Sequence, residues 1–259
     1  MSEISQRSEP PGSSSKPRLL SENLLNLCEA AFPEGGFYVE AGANDGISAS
    51  NTVGLDPSVW RGLLIEPSSL SFALLEKNRS EAILERVALV ADSSQKMIQG
   101  TFADGSLMGS AHEDLRKRTT KVPRNVFEKI EAIFRGRAGL TPAIRLETVP
   151  TATLDSIIGK NRITSIAILI LDVEGLEIEV LKGFAFSPKP TMVVIETRSL
   201  DALAISEIML THGYILAANL SNFSLKTNTH WSGDHQDLLW VDKDLPQILE
   251  VALRLELYA

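Results

Sequence analysis

The chain has 259 residues, 44% of them hydrophobic and 22% charged, which suits one large folded α/β domain and excludes disorder over the whole length. Its 33 acids against 25 bases give a net charge of −8, a sign that repels phosphate backbones and anionic lipid and argues against a nucleic-acid or membrane-surface role. The single cysteine excludes an internal disulfide framework and a cysteine-based zinc cage. Residues 1–18 are rich in Ser, Pro and charge, have little to bury, and read as a disordered tail ahead of one domain over 19–259. No apolar N-terminal core marks a signal peptide, and the longest apolar run, Ile166 to Leu171 with Val173, is far too short for a membrane span. A cytoplasmic location is therefore expected.

From Leu19 onward strand-like and helix-like segments alternate, the pattern of an α/β layer fold. A helix from about Leu20 to Phe32 carries Leu24, Cys28 and Ala31 on one face and stops at Pro33. The strand Phe37 to Ala41 comes next, then the strand Gly62 to Glu66 and a helix through Leu70, Leu74 and Leu75. A third strand is expected over Ile83 to Val90, followed by a less regular stretch at 93–149. A helix at Leu154 to Ile158 leads to the strongest strand, Ile166 to Asp172, whose unbroken apolar run suits a central parallel strand covered on both faces. The next helix carries Leu176, Val180 and Leu181 and is expected to end at Lys182-Gly183 with glycine as a left-handed cap. The strand Thr191 to Thr197 precedes a helix ending at His212-Gly213 in the same way. Two strands, Tyr214 to Asn219 and Asp237 to Val241, and a helix with Leu245, Ile248, Val251 and Leu255 complete the chain.

Four of these strands end in a carboxylate: Glu40, Glu66, Asp172 and Glu196. An open parallel sheet binds ligands beyond the carboxyl ends of its strands, so four acids would line one edge. That edge does not suit a dinucleotide. The first turn, Glu40 to Gly46, has no GxGxxG loop to cradle a pyrophosphate. Carboxylates suit hydroxyls and cations, and S-adenosylmethionine offers ribose hydroxyls, an ammonium and a sulfonium. Gly42 allows close backbone approach and Gly46 a tight entry into the next helix. Glu66 stands where an acid can accept both ribose hydroxyls.

Glu40 to Gly46 with Ser50-Asn51-Thr52, then Trp60 to Pro67 and Asn78-Arg79, resemble the FkbM-type methyltransferase domain. Leu171 to Gly183, preceded by Thr151 to Ile158, resembles the same family's second signature, and the likeness covers roughly residues 36–242. The resemblance implies a class I, Rossmann-like fold: a mostly parallel sheet with an antiparallel C-terminal strand and helices on both faces. It also implies S-adenosylmethionine as cofactor and a hydroxyl of a sugar, glycan or natural product as acceptor. By this likeness Glu40, Gly42, Asn44, Asp45 and Gly46 hold the methionine part, Asn51 and Thr52 support it, Glu66 holds the ribose, and Val87 and Ala88 flank the adenine.

Asp172 and Glu174 are the candidate catalytic acids, because Asp172 ends the central strand where the transferred methyl should lie. They could act as a base or through a divalent metal, although no complete ligand set can be read. His112, His230 and His235 are further candidate bases. Residues 113–137 carry eight bases and four acids, leaving −12 on the rest of the chain. They read as a solvated helix face over an apolar stripe, with a lid, an anion-attracting surface or helix pairing in a homodimer as the alternatives. Two other functions compete with the leading one. One is a scaffold that kept the fold and lost the reaction. The other is a nucleic-acid methyltransferase, which lacks both an Asn/Asp-Pro-Pro-aromatic loop and a Pro-Cys pair here.

Overall fold

The computed structural model describes residues 20–48, 50–92, 94, 96–101, 146–221 and 235–254. The strongest apolar run becomes β7, Ile168–Leu171, every residue of which is buried. It pairs in parallel with β1, Gly36–Ala41, on one side and with β8, Met192–Arg198, on the other. Beyond β1 lie β2, Trp60–Ile65, and β3, Ile83–Glu85, both parallel to it. Beyond β8 comes β10, His235–Asp242, and then β9, Tyr214–Asn219. The seven-stranded order is β3-β2-β1-β7-β8-β10-β9, and β10 runs antiparallel to both its neighbours. The sequence-based expectation of a mostly parallel sheet with an antiparallel last strand holds.

Strand alternation sends successive side chains to opposite faces. Ile168 and Ile170 join one core with Leu24, Leu27 and Cys28 of α1 (Leu20–Ala31), Leu75 of α2 (Ser69–Asn78), and Ile248 and Ala252 of the C-terminal helix, Pro246–Arg254. Leu169 and Leu171 join the other, with Leu154, Ile157 and Ile158 of α3 (Leu154–Lys160), Val180 and Leu181 of α4 (Glu177–Lys182), and Ile205 and Met209 of α5 (Ala202–Thr211). The C-terminal helix is α6. Helices therefore cover both faces, and Cys28 is a buried apolar side chain whose thiol burial pushes up to about 12.

Two local expectations are corrected. The strand expected over Ile83 to Val90 is two strands. At the end of β3, Glu85 takes Lys160 Nζ and Asn161 Nδ2, each at 2.8 Å. The chain then leaves the sheet, and β4, Ala88–Leu89, pairs with β6, Leu146–Ala152, in a second sheet completed by β5, Met97–Thr101. The expected helix through Leu70, Leu74 and Leu75 is α2, capped by Ser68 through Ser71 N–H, with Leu75 and Ser71 buried and Leu70 and Leu74 about half exposed. Gly183 has φ −89° and is no left-handed cap; a Cβ there would lie 2.5 Å from the Val90 carbonyl oxygen, so close approach requires the glycine. Gly213, at φ +78°, is left-handed as expected. The expected tail at 1–18, the basic insert at 113–137, His112 and His230 lie outside the described residues.

Candidate functional site

The strand registers align the carboxyl ends of the sheet. Ala41 faces Ile65 on one side and Leu171 on the other, and Leu171 faces Ile195. One residue further on, the same line across the sheet reads Glu66, Gly42, Asp172 and Glu196. Glu196 in turn faces Asp237 on β10. Backbone bonds carry the alignment past the strand ends: Gly42 N–H to Ile65 O at 3.0 Å, Asp172 N–H to Ala41 O at 3.1 Å and Glu66 N–H to Glu85 O at 3.1 Å. Asp172, Glu196 and Asp237 share the parity of Ile170, Val194 and Leu239, so all three belong to the face that α1 and α6 cover.

Three carboxylates on adjacent strands interact strongly. Like charges directly opposite one another in a sheet repel, and burial strengthens the repulsion. Burial is the main cause that pushes Asp172 well above the usual carboxylate range, and Glu196, Asp237, Glu174 and Glu177 add to it. Burial likewise pushes Glu196 up to about 8, helped by Glu177, Glu174 and Asp237 and opposed by Arg198. Glu196 Oε2 is buried without a hydrogen-bond partner, while Oε1 lies 3.9 Å from His235 Nδ1. Asp237 is raised by burial, and the Ser221 hydroxyl, donating at 2.8 Å, holds it back. Among the described residues nothing donates a hydrogen bond to the Asp172 carboxylate.

Glu174 sits differently from Asp172. It adopts φ +56° on the turn after β7 and pairs with Arg198 Nη2 at 3.2 Å. Glu177 is buried and braces that turn, accepting the Val173 and Gly175 N–H groups at 3.0 and 3.1 Å.

The first turn is held by acids from two directions. Glu66 is buried; its carboxylate accepts the Asn44 N–H at 3.0 Å and the Ser68 N–H at 2.8 Å. Asn44 is left-handed at φ +49°, and Asp45 closes the turn by accepting the Ile47 and Ser48 N–H groups. Gly42, at φ +88°, packs so tightly that a Cβ would lie 1.8 Å from the Asp172 carbonyl oxygen. Glu40 lies two residues deeper on β1 and is 1% exposed. It accepts the Thr52 hydroxyl at 2.5 Å, the Asn51 N–H at 2.7 Å and the Ser50 hydroxyl at 3.1 Å. Its burial raises its pKa, and those donors pull it back.

Of the residues singled out from sequence, the structure brings Gly42, Asn44, Asp45 and Glu66 together at the sheet edge, with Asp172 beside Gly42. Glu40, Asn51 and Thr52 form a buried layer beneath them. Val87 is partly buried against the α3–α5 core, and Ala88 packs with Ile98 and Val149 in the small second core. Sequence reasoning did not assign Asp237 or Arg79 to the site. Asp237 shares strand parity with the core residues Leu239 and Val241, which was the available signal. No group of three or more His, Cys, Asp or Glu among the described residues is arranged to hold a metal ion, and no described helix is long and apolar enough to cross a membrane.

Residues 40–216 match the Methyltransferase FkbM domain family. No curated protein matches the sequence. Among solved structures the chain is similar to the ribosomal protein L11 methylase of Lactobacillus delbrueckii subsp. bulgaricus, at 10% identity and a TM-score of 0.41, over 86% of this chain and 79% of that one. It is similar to precorrin-6y C5,15-methyltransferase of Geobacter metallireducens GS-15, at 10% identity and a TM-score of 0.41, over 88% and 92%. It is also similar to a TehB-like SAM-dependent methyltransferase of Corynebacterium glutamicum, at 12% identity and a TM-score of 0.37, over 85% and 88%.

Proposed function

The chain belongs to the FkbM methyltransferase family and is an S-adenosylmethionine-dependent methyltransferase; from that premise we propose that it methylates a hydroxyl oxygen on a sugar, glycan or natural product. The observation that carries this reading is the line Glu66, Gly42, Asp172 across the carboxyl edge of the sheet. The donor set fits the cofactor. A carboxylate at the end of β2 suits two vicinal hydroxyls, and the neighbouring position carries no side chain. Beyond it stands an acid suited to a positive centre. Glu66 would hold the ribose, and the turn at Gly42, Asn44, Asp45 and Gly46 would hold the methionine part. Glu40, Asn51 and Thr52 would support that turn from below, and Val87 and Ala88 would border the adenine.

When bound, S-adenosylmethionine supplies a methyl carbon on a positive sulfur, whose bonding pair leaves with the thioether. The acceptor oxygen must lose its proton as it takes the methyl group. Asp172 is placed to receive that proton. Its carboxylate has no described hydrogen-bond donor to satisfy it, and burial with its acidic neighbours makes it an unusually strong base for a carboxylate. Glu174, tied to Arg198, would position the turn that comes after Asp172.

The test is thermal melting with S-adenosylmethionine or S-adenosylhomocysteine, followed by a labelled-methyl screen over extract fractions with mass spectrometry of the product. A melting shift that disappears in Glu66→Ala, together with a methyl ether product, is expected. Absence of any shift at millimolar ligand refutes the reading. Binding without turnover on any acceptor pool points instead to a scaffold that has lost the reaction.

A further inference from the structure

Arg79 stands at the C-terminal end of α2 and is 6% exposed, a cation withdrawn almost fully from water. No carboxylate of the sheet edge touches it directly. Its Nη1 donates to the Gly46 carbonyl at 3.3 Å and to the Ser50 and Thr52 hydroxyls at 3.4 Å each. Its Nη2 donates to the Tyr38 hydroxyl at 2.6 Å and to Thr52 Oγ1 at 3.4 Å. Its Nε pairs with Glu81 at 2.9 Å. The two hydroxyls that accept from Arg79 are the same two that donate to Glu40. Each hydroxyl has one proton and two lone pairs, so each can serve both charges at once. Glu40 and Arg79 thus form a buried ion pair relayed through Ser50 and Thr52.

The relay encloses the first turn. The stem of Arg79 lies against Gly46, where a Cβ would come within 2.6 Å of Arg79 Cγ and of Leu75 Cδ1. The neighbouring Asn78 donates Nδ2 to the Asp45 carbonyl at 2.8 Å. Asp45 and Gly46 are therefore pinned through their carbonyls by the end of α2, while Asn44 is pinned through its N–H by Glu66. Both faces of a turn with three residues at positive φ, Gly42, Asn44 and Gly46, are held by the buried side chains of Glu66 and Arg79.

We infer that Arg79 is a positioning residue of the cofactor turn, acting on it through the Ser50 and Thr52 hydroxyls and the Gly46 carbonyl. The inference rests on the reading of this turn as the binding site for the methionine part of S-adenosylmethionine. A lysine cannot do the same work. Arg79 uses all three of its nitrogens in a planar fork, toward acceptors in three directions, whereas lysine presents one nitrogen. Misplacement of a binding loop by about 1 Å is enough to cost ~10-fold or more in what it binds or catalyses.

The test is calorimetric titration of S-adenosylhomocysteine into the full chain and into Arg79→Lys, Thr52→Val and Thr52→Ser, with the ligand-free melting temperature of each. Arg79→Lys keeps the charge and loses the fork, and its Kd is expected to rise ~10-fold or more. Thr52→Val keeps the shape and loses the relay hydroxyl, and should weaken binding in the same sense. Thr52→Ser restores the hydroxyl and should recover most of the affinity, a recovery that bulk stability does not produce. If Arg79→Lys fails to fold, the two threonine variants still decide the matter. An unchanged Kd in Arg79→Lys, or equal losses in the valine and serine variants, overturns the inference while leaving the cofactor reading intact. A wild-type chain that does not bind S-adenosylhomocysteine overturns both.

Discussion

Replacing Glu196 by glutamine should stabilise the folded chain at alkaline pH, and the size of the effect comes from the carboxylate line. Burial with neighbouring acids raises Glu196 from 4.5 to about 8. Between those values the folded state holds a proton that the unfolded chain has released. Stability is therefore greatest at the acid end of the window and is lost as pH rises through it. At ~1.4 kcal/mol per pH unit, the full displacement corresponds to ~5 kcal/mol lost by pH 8. The side chain is only 11% exposed, so solvent screens little of this. For a domain this size ~5 kcal/mol amounts to a fall of ~10 °C or more in Tm. Glutamine does not ionise, so the E196Q curve should lack most of that fall and lie above wild type at pH 8. Urea denaturation of both proteins at half-unit steps from pH 5 to 8 measures the difference directly. Parallel curves, or a difference that grows toward acid pH, would refute the placement of three interacting carboxylates at the end of β7 and on β8 and β10.

The other expectations concern the core and the site. Asp172→Asn should lower kcat by ~10²- to 10⁴-fold, with the loss falling on turnover and not on S-adenosylhomocysteine binding, since that product carries neither the positive sulfur nor the acceptor proton that the carboxylate would meet. Gly42→Ala should abolish the ligand-dependent melting shift, because the new Cβ would lie 1.8 Å from the Asp172 carbonyl oxygen and the residue would keep φ +88°. Leu154→Ala, at a fully buried position on α3, should cost ~2–5 kcal/mol in urea without changing the denaturant slope.

Periodicity located the strands of the large sheet, because strands such as Ile168–Leu171 bury both faces and tolerate no polar interruption, but it missed β5 and β6 in and beside the stretch read as less regular. It failed where tertiary contacts override local pattern. Ile83 to Val90 is mostly apolar and reads as one strand, yet Lys160 and Asn161 hold Glu85 and the chain crosses to a second sheet. The site was half legible for a related reason. Acids at strand ends can be read from sequence, but whether each meets a ligand or the interior depends on register. Glu40 lies on β1 and Gly42 just past its end, and only the alignment of Gly42 with Glu66 and Asp172 separates support from edge. Arg79 gave no signal of its position, since its partners Tyr38, Gly46, Ser50 and Thr52 lie 27 to 41 residues away.

A few of the 33 acids thus stand where ionising them costs stability. Like charges facing each other across Glu196 and Asp237, with Asp172 alongside, oppose the fold. The same repulsion raises the proton affinity of Asp172, in which Glu196 is the largest contribution after burial. Stability lost and basicity gained are therefore two readings of one coupling, and coupling is reciprocal. E196Q should lower the titration midpoint of the Asp172 carboxyl, followed by carbon NMR of aspartate-labelled protein, by an amount that matches part of the stability it restores. A midpoint for Asp172 that is the same in wild type and E196Q would show that the two acids do not interact, and would leave burial alone as the source of its basicity.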